Sequence, residues 1–512
     1  MLRSLLPLAL LALPLAAEPG TSRLVRLGED GRLVYAPWNE QGDRIPDFST
    51  CGYRGGLVPL PEVPAKRVLE PVPGDNRERI QQALDELAAL PLEDGFRGAL
   101  LLKRGRYPVE GTLRLNASGI VLRGEGDGED GTVLVATQRK QHTLIALGGG
   151  GKRQEVADSR VAVVDAYVPV GASTLRVADA AGFTLGDRVI VHRPSTAAWL
   201  AAIGMDRIDE KHEKVTQWAP GSYDLRFERV VLSIRGNELE LDAPLVCALD
   251  ESYGGGTVYR YTWPERLENV AVENLRGESE FDRDKADPKR EGEFVDEDHG
   301  WNFISVGAVR DGWVRQVTAR HFGYSCVNIL SSASRITVRD SACLDPVSQI
   351  TGGRRYSFAV AGQFNLVQNC RTRGGRHDFV MHARVPGPNV FVDCHAEKAY
   401  SDSGPHHRWA TGTLYDNVVV EGHSLNVQDR QWSGSGHGWA GANMIFWNCT
   451  AKSFRIQQPP TAQNFGIGCK GALAKGNWVK DHPDGWWESP DAPVSPRSLY
   501  LQQLAERQAR GK

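Results

Sequence analysis

The chain has 512 residues, of which 41% are hydrophobic and 24% charged, with 55 glycines, 28 prolines and a formal net charge of −3. This balance describes a folded, turn-rich protein and excludes a disordered chain or a coiled coil. The near-neutral charge, without a long basic block, excludes nucleic acid as the main partner.

Residues 1–17 combine Arg3, a short apolar run over 5–15 and the small pair Ala16-Ala17, the pattern of a secretory signal peptide. The run is too short to span a membrane and no later stretch reaches 18 apolar residues, so the mature chain, starting near Glu18, is expected to be secreted or periplasmic. The eight cysteines contain no C-x-x-C pair, which argues against a zinc cluster and leaves disulfide pairing open.

An N-terminal extension, 18–70, precedes Asp75-Asn76-Arg77-Glu78, which reads as a capping box. The helix that follows carries Ile80, Ala83, Leu84 and Leu87 on one face, suited to plugging an open end of a stack of strands. Short glycine-punctuated strands come next, with Gly105-Arg106-Tyr107, Leu113-Arg114-Leu115 and Leu122-Arg123-Gly124-Glu125-Gly126. Together, 71–152 read as a capping helix and first coils. Residues 153–262 read as a small inserted β-subdomain, whose stretch 195–223, with Trp199, His212 and Trp218, is long enough to overhang a groove. A second, charge-dense insertion covers 278–298. The tail, 476–512, holds an amphipathic helix with Leu499, Leu501, Leu504 and Ala505.

Between them, 263–475 is repetitive. Short β-rich runs end in a polar residue at 316, 340, 369, 393, 417 and 448, separated by 24, 29, 24, 24 and 31 residues. A period near 24 in β-branched sequence predicts a parallel β-solenoid, each repeated Asn, Asp or Gln turning a tight left-handed corner.

These features resemble the pectate-lyase-like superfamily of right-handed parallel β-helix proteins, whose members open with a capping helix, a G-x-Y strand and an L-x-G-x-G turn. The likeness covers residues 70–150 and 265–470, and the leader 23–60, with 43–49 and Cys51-Gly52-Tyr53-Arg54-Gly55-Gly56, resembles that of secreted β-helix carbohydrate enzymes. The resemblance implies an all-β, right-handed parallel β-helix. It does not choose a chemistry, because the superfamily holds polysaccharide lyases, glycoside hydrolases, epimerases and phage tailspikes. The signal peptide points away from a tailspike.

Six of the 13 histidines fall between 377 and 423. Asp378 and Asp402, His382 and His406, and Arg384 and Arg408 are each 24 apart, so one coil should set them over the next at about 4.8 Å. Asn426, Arg430 and Trp432 continue the series, and Arg354 and Arg355 precede it. Such a patch suits β-elimination on a uronic-acid polymer, where guanidinium groups neutralise the sugar carboxylate and an imidazole takes the C5 proton. His406 or His407 is the expected base, Arg408 and Arg384 the clamps, and His382 or Tyr415 the acid. Arg376, His377, Trp409, Arg430, Trp432 and His437 are the expected binding residues.

Two other readings stay open: a hydrolase using Asp378 and Asp402 as paired carboxylates, and a non-catalytic carbohydrate-binding solenoid. The two aspartates could equally pair with Arg384 and Arg408 to hold the loops. Cys370, Cys394 and Cys449 read as a buried column, with Cys370 and Cys394 within disulfide reach. No cofactor and no obligatory metal are expected, calcium alone being left open. The expected partner is an acidic polysaccharide and the expected state a monomer.

Overall fold

The computed structural model describes residues 20–209 and 215–511. The signal-peptide segment and His212 lie outside the described residues. The chain is a parallel β-helix in which three ladders of short strands run the length of the stack. The first includes Gly98–Leu102, Ile120–Arg123, Ser334–Arg339, Asn365–Gln368, Asn389–Val392, Thr413–Asp416 and Ile445–Trp447. The second includes Ala342–Leu344, Arg371–Arg373, His395–Glu397 and Val419–Val427. The third runs Leu113–Leu115, His142–Gly148, Gly300–Gly307, Ser325–Ile329, Phe358–Val360, Phe379–Met381 and Gly404–Pro405.

The corner between the first two ladders is where the repeated polar residue sits. Gln316, Asp340, Asn369, Asp393, Asn417 and Asn448 all have φ between 51° and 54°. Asn and Asp tolerate this left-handed geometry better than other residues with a Cβ. Asn369 Nδ2 also donates to Asp340 Oδ1 of the preceding coil at 2.7 Å, tying one corner to the next.

Inside, equivalent side chains form columns. The rings of Phe391, Tyr415 and Phe446 stack at 5.1 and 5.0 Å. Burying an aromatic of this size contributes roughly 1.5–3 kcal/mol. Cys370, Cys394, Cys449 and Cys469 each follow a corner and turn their thiols inward, 3.4–3.6 Å from the carbonyl two residues earlier. All eight cysteines are free and buried.

Helix Arg77–Ala88 buries Ile80, Ala83, Leu84 and Leu87 in the same core as Leu100, Leu102, Leu113 and Leu122, covering the first coils. The capping box does not form. Asp75 Oδ1 takes the Arg77 and Glu110 N–H groups, while Glu78 turns to Arg77. Residues 154–262 leave the stack as an antiparallel sheet centred on Arg188–Arg193, Leu225–Arg235 and Thr257–Thr262. Its core includes Trp199, Trp218 and Phe227 and is continuous with Trp409 and Trp439 of the coils, so the insert is fused to the helix side. Leader residues Leu24, Val25, Ile45 and Phe48 pack with Leu499 and Tyr500 of helix Leu499–Arg510 on the outer face of the first ladder, against Leu414, Ile445 and Trp447.

The corner geometry makes a direct prediction. Asn369→Ala should lower stability by about 1–2 kcal/mol more than Asn369→Gly, since both lose the bond to Asp340 but only alanine opposes the left-handed backbone. Urea denaturation of the two variants measures the difference.

Candidate active site

The third ladder ends at Gly404–Pro405, paired with Val380 and Met381 in a 24-residue register. Left-handed turns at Arg384 (φ 57°) and Arg408 (φ 58°) follow in successive coils. The Arg384 N–H donates to the Arg408 carbonyl at 2.8 Å, so these turns stack. The side chains leaving them, with neighbours from adjacent coils, form a wall of rings parallel to the helix axis.

Along this wall the ring centroids lie 6.3 Å apart for His382 and His407, 5.3 Å for His406 and His407, and 5.0 Å for His407 and His437. Toward the earlier coils Tyr356 lies 5.3 Å from His406, Tyr324 stacks on Tyr356 at 5.1 Å, and Trp301 stacks on Tyr324 at 6.3 Å. Trp301, Tyr324, His382, His407 and His437 are half-buried; His406, 7% exposed, sits behind them.

Hydrogen bonds orient the rings. Tyr324 Oη and His382 Nε2 are 3.2 Å apart. Arg430 Nη1 donates to Asp402 Oδ2 at 3.1 Å and to His406 Nδ1 at 3.3 Å. A guanidinium only donates, so His406 Nδ1 presents a lone pair and the neutral ring carries its proton on Nε2. That N–H donates to the Tyr356 oxygen at 3.1 Å, leaving the phenol proton free to point elsewhere.

Burial lowers the His382 and His437 pKa values from 6.5 to about 4, the latter aided by Arg430 and Arg408. Burial lowers His406 and His407 further, helped by the surrounding imidazoles and Arg430. Burial opposes ionisation of Asp402, but Arg430 and His377 outweigh it and hold the carboxyl below its usual range. The wall is therefore a set of uncharged imidazoles over a buried ion pair.

The cations stand at the rim. Arg384 is exposed, donates Nη1 to the Ser222 carbonyl of the insert at 2.9 Å and lies 5.7 Å over the Tyr223 ring. Arg408 donates Nη2 to Ser435 Oγ at 2.7 Å. The insert also fixes the turn that carries His437: Trp218 Nε1 donates to the Gly436 carbonyl and Trp439 Nε1 to the Ile203 carbonyl, both at 3.2 Å.

Several residues singled out in the sequence lie elsewhere. Tyr415, 0% exposed, is a link in the internal ring column and cannot protonate a substrate. Asp378, also 0% exposed, accepts from Ser357 Oγ at 2.7 Å, and burial raises its pKa to about 6. Asp402 pairs with Arg430 rather than Arg408, so the two aspartates neither face a common substrate nor clamp the predicted arginines. His377 is sealed, with Nδ1 at the Asp402 carbonyl. Trp409 packs edge-on against Trp199 at 4.9 Å in the insert core and offers no face to a sugar. Trp432 is half-buried against that core. Arg376 donates to the Gly352 carbonyl, and Arg430 serves beneath the wall with its guanidinium 4.9 Å over Trp478.

Arg354 and Arg355 bind the second insertion through Glu297 (2.6 Å) and Glu293 (2.7 Å), respectively. The aromatic half of the wall, Trp301, Tyr324 and Tyr356, escaped sequence reasoning. Its signal was a Tyr-Ser pair, at 324–325 and 356–357, opening the third-ladder segment in two successive coils. Among the described residues no three His, Cys, Asp or Glu side chains converge on a metal position, and no helix is long and apolar enough to cross a membrane.

No protein-family model matches the chain and no curated protein is similar to it in sequence. Among solved structures it is similar to the tailspike gp49 of Pseudomonas phage LKA1, with 13% identity, a TM-score of 0.37 and coverage of 78% of this chain and 70% of that one. An alginate lyase of Paenibacillus sp. str. FPU-7 shares 9% identity over 84% of this chain and 100% of its own, with a TM-score of 0.39. A polygalacturonase of Erwinia carotovora ssp. carotovora shares 12% identity over 86% and 96%, with a TM-score of 0.36.

The depressed imidazole pKa values tie stability to pH. Their folded values lie below the unfolded 6.5, so the unfolded chain binds more protons and stability falls as pH drops from 6.5 toward about 4. The urea midpoint should be flat above that window and decline through it, and His437→Gln should remove part of the slope.

Proposed function

We propose that the protein is an exported polysaccharide lyase that cleaves a uronic-acid polymer by β-elimination. The observation that carries this reading is the wall itself: neutral imidazoles in contact with one another, a tyrosine hydroxyl bonded to one of them, and guanidinium groups at the rim.

The polymer lies along the wall, with Trp301 and Tyr324 offering ring faces to its sugars. Arg408 and Arg384 pair with the carboxylate attached to C5, lowering the cost of negative charge developing there. His407, uncharged and half-buried, takes the C5 proton. The electrons left by that C–H bond form the C4–C5 double bond as the C4–O bond breaks. Tyr324, held by His382, gives its proton to the departing oxygen. His406 does not touch the substrate; clamped between Arg430 and Tyr356, it positions His407.

The competing hydrolysis by Asp378 and Asp402 lacks support, because a two-carboxylate mechanism needs both groups at the scissile bond and Asp378 is sealed. A binding-only solenoid is separated by turnover.

Incubation with a panel of uronate polymers should release unsaturated products that absorb in the ultraviolet; new reducing ends without that absorbance would overturn the reading in favour of hydrolysis. His407→Ala should lower kcat/KM by about 10²–10⁴-fold at an unchanged unfolding midpoint. Since the base is neutral far below its ordinary pKa, the acid limb of kcat/KM should lie near pH 4 or lower rather than near 6.5.

A further inference from the structure

A cavity of about 460 Å³ lies away from the imidazole wall, where the leader, the insert and the coil turn 458–463 meet. Trp38, Tyr167, Tyr253 and Trp486, all half-buried, line it. Three of these rings are set by contacts outside the cavity's needs. Trp38 packs edge-on against Phe465 at 4.8 Å, Tyr167 Oη donates to Asp43 Oδ2 at 2.8 Å, and Arg23 covers Trp486 at 5.0 Å. The exposed amide side chains of Gln41 and Gln458 stand in the lining as well.

The same cavity contains a buried cation without a counter-ion. Arg193 is 5% exposed, donates Nε to the Ala248 carbonyl at 3.1 Å and stacks 4.5 Å over Trp199. Its Nη1 has no hydrogen-bond partner among the described residues. Neither nearby carboxylate pairs with it. Asp43 is committed to Tyr167, Asn39 and the Val170 N–H, and Asp250 Oδ1 to Ser252. Leaving a buried guanidinium unpaired is costly, and an anion brought to it recovers that cost.

We infer that this cavity is a second saccharide site, non-catalytic, that takes an acidic sugar unit: carboxylate toward Arg193, ring against the aromatic lining, hydroxyls toward Asp250 and the two glutamines. Rings that give apolar faces, side-chain amides and one unpaired guanidinium are the combination an anionic sugar requires. The inference stands on this lining alone and does not depend on elimination at the wall. The two sites lie on either side of the Trp199–Trp409 pair: Trp199 Nε1 donates to Thr461 Oγ1 at the cavity (3.2 Å), while Trp409 follows Arg408. A long polymer could be held here while another stretch reacts.

Isothermal titration with trimers of galacturonate, mannuronate, guluronate and glucuronate, and with cellotriose as the neutral counterpart, tests this. The expected result is binding of at least one uronate trimer that persists in the triple variant His407→Ala/Arg384→Ala/Arg408→Ala. That binding should weaken about tenfold or more in Tyr253→Ala and in Arg193→Gln, and cellotriose should bind about tenfold more weakly than the uronate. Tyr253 is half-exposed, so its variant keeps the test valid if Arg193→Gln fails to fold. Absence of binding to every uronate trimer, equal affinity for cellotriose, loss of all binding in the triple variant, or undiminished binding in Tyr253→Ala would each overturn the inference.

Discussion

Each coil turns the same corner in a left-handed conformation, and that backbone constraint sets everything the molecule does with its side chains. Asn369 and Asp393 hold φ near 50°, and the strands that follow pair 24 residues apart. With the corner fixed, every later position of a coil is indexed to its neighbour, so a residue type repeated at that interval becomes a column. Inside, columns of Phe, Tyr and Cys fill the core; outside, the same indexing brings His382 beside His407 and Arg384 onto Arg408. Functional crowding here is a by-product of how the core is built.

The electrostatics of the wall follow from layering. The charge that is paid for by pairing, Asp402 with Arg430, lies beneath; the rings above it are desolvated and neutral; the free guanidinium groups stand at the edge. An anionic ligand therefore meets cations at the rim and proton acceptors at the centre, rather than a uniformly positive surface. Neutral rings at van der Waals distance avoid the mutual repulsion that protonated ones would suffer, which is why burial and crowding work in the same direction.

The solenoid was legible because its corner demands a residue type, and the six polar positions spaced by 24 to 31 carried that demand in plain view. The 24-residue spacing also brought out His382, Arg384, His406 and Arg408. It gave no information on which way a side chain points where a strand meets a corner: Asp378 and Tyr415 face inward although their registers are as regular as those of the histidines. The tyrosines were hidden because the coils that carry them are longer and their strands slip by one residue, with Ser325 rather than Tyr324 aligned with Tyr356. Trp409 illustrates a third limit. Its neighbour is Trp199, from an insert more than 200 residues earlier, and no local pattern announces that contact.

A stack of coils is a one-dimensional object and ordinarily frays from either end independently. In this chain the two ends are tied. Ser22 Oγ and Arg23 Nε both reach Glu488 in the last coil, at 2.5 and 3.1 Å, and Gln503 of the final helix holds the Phe48 N–H and the Pro46 carbonyl. Peeling the final coil must also release the first fifty residues, and releasing those residues strips the flank of the middle coils. The terminal segments thus act as a longitudinal clasp, making opening at one end a concern of the whole rod.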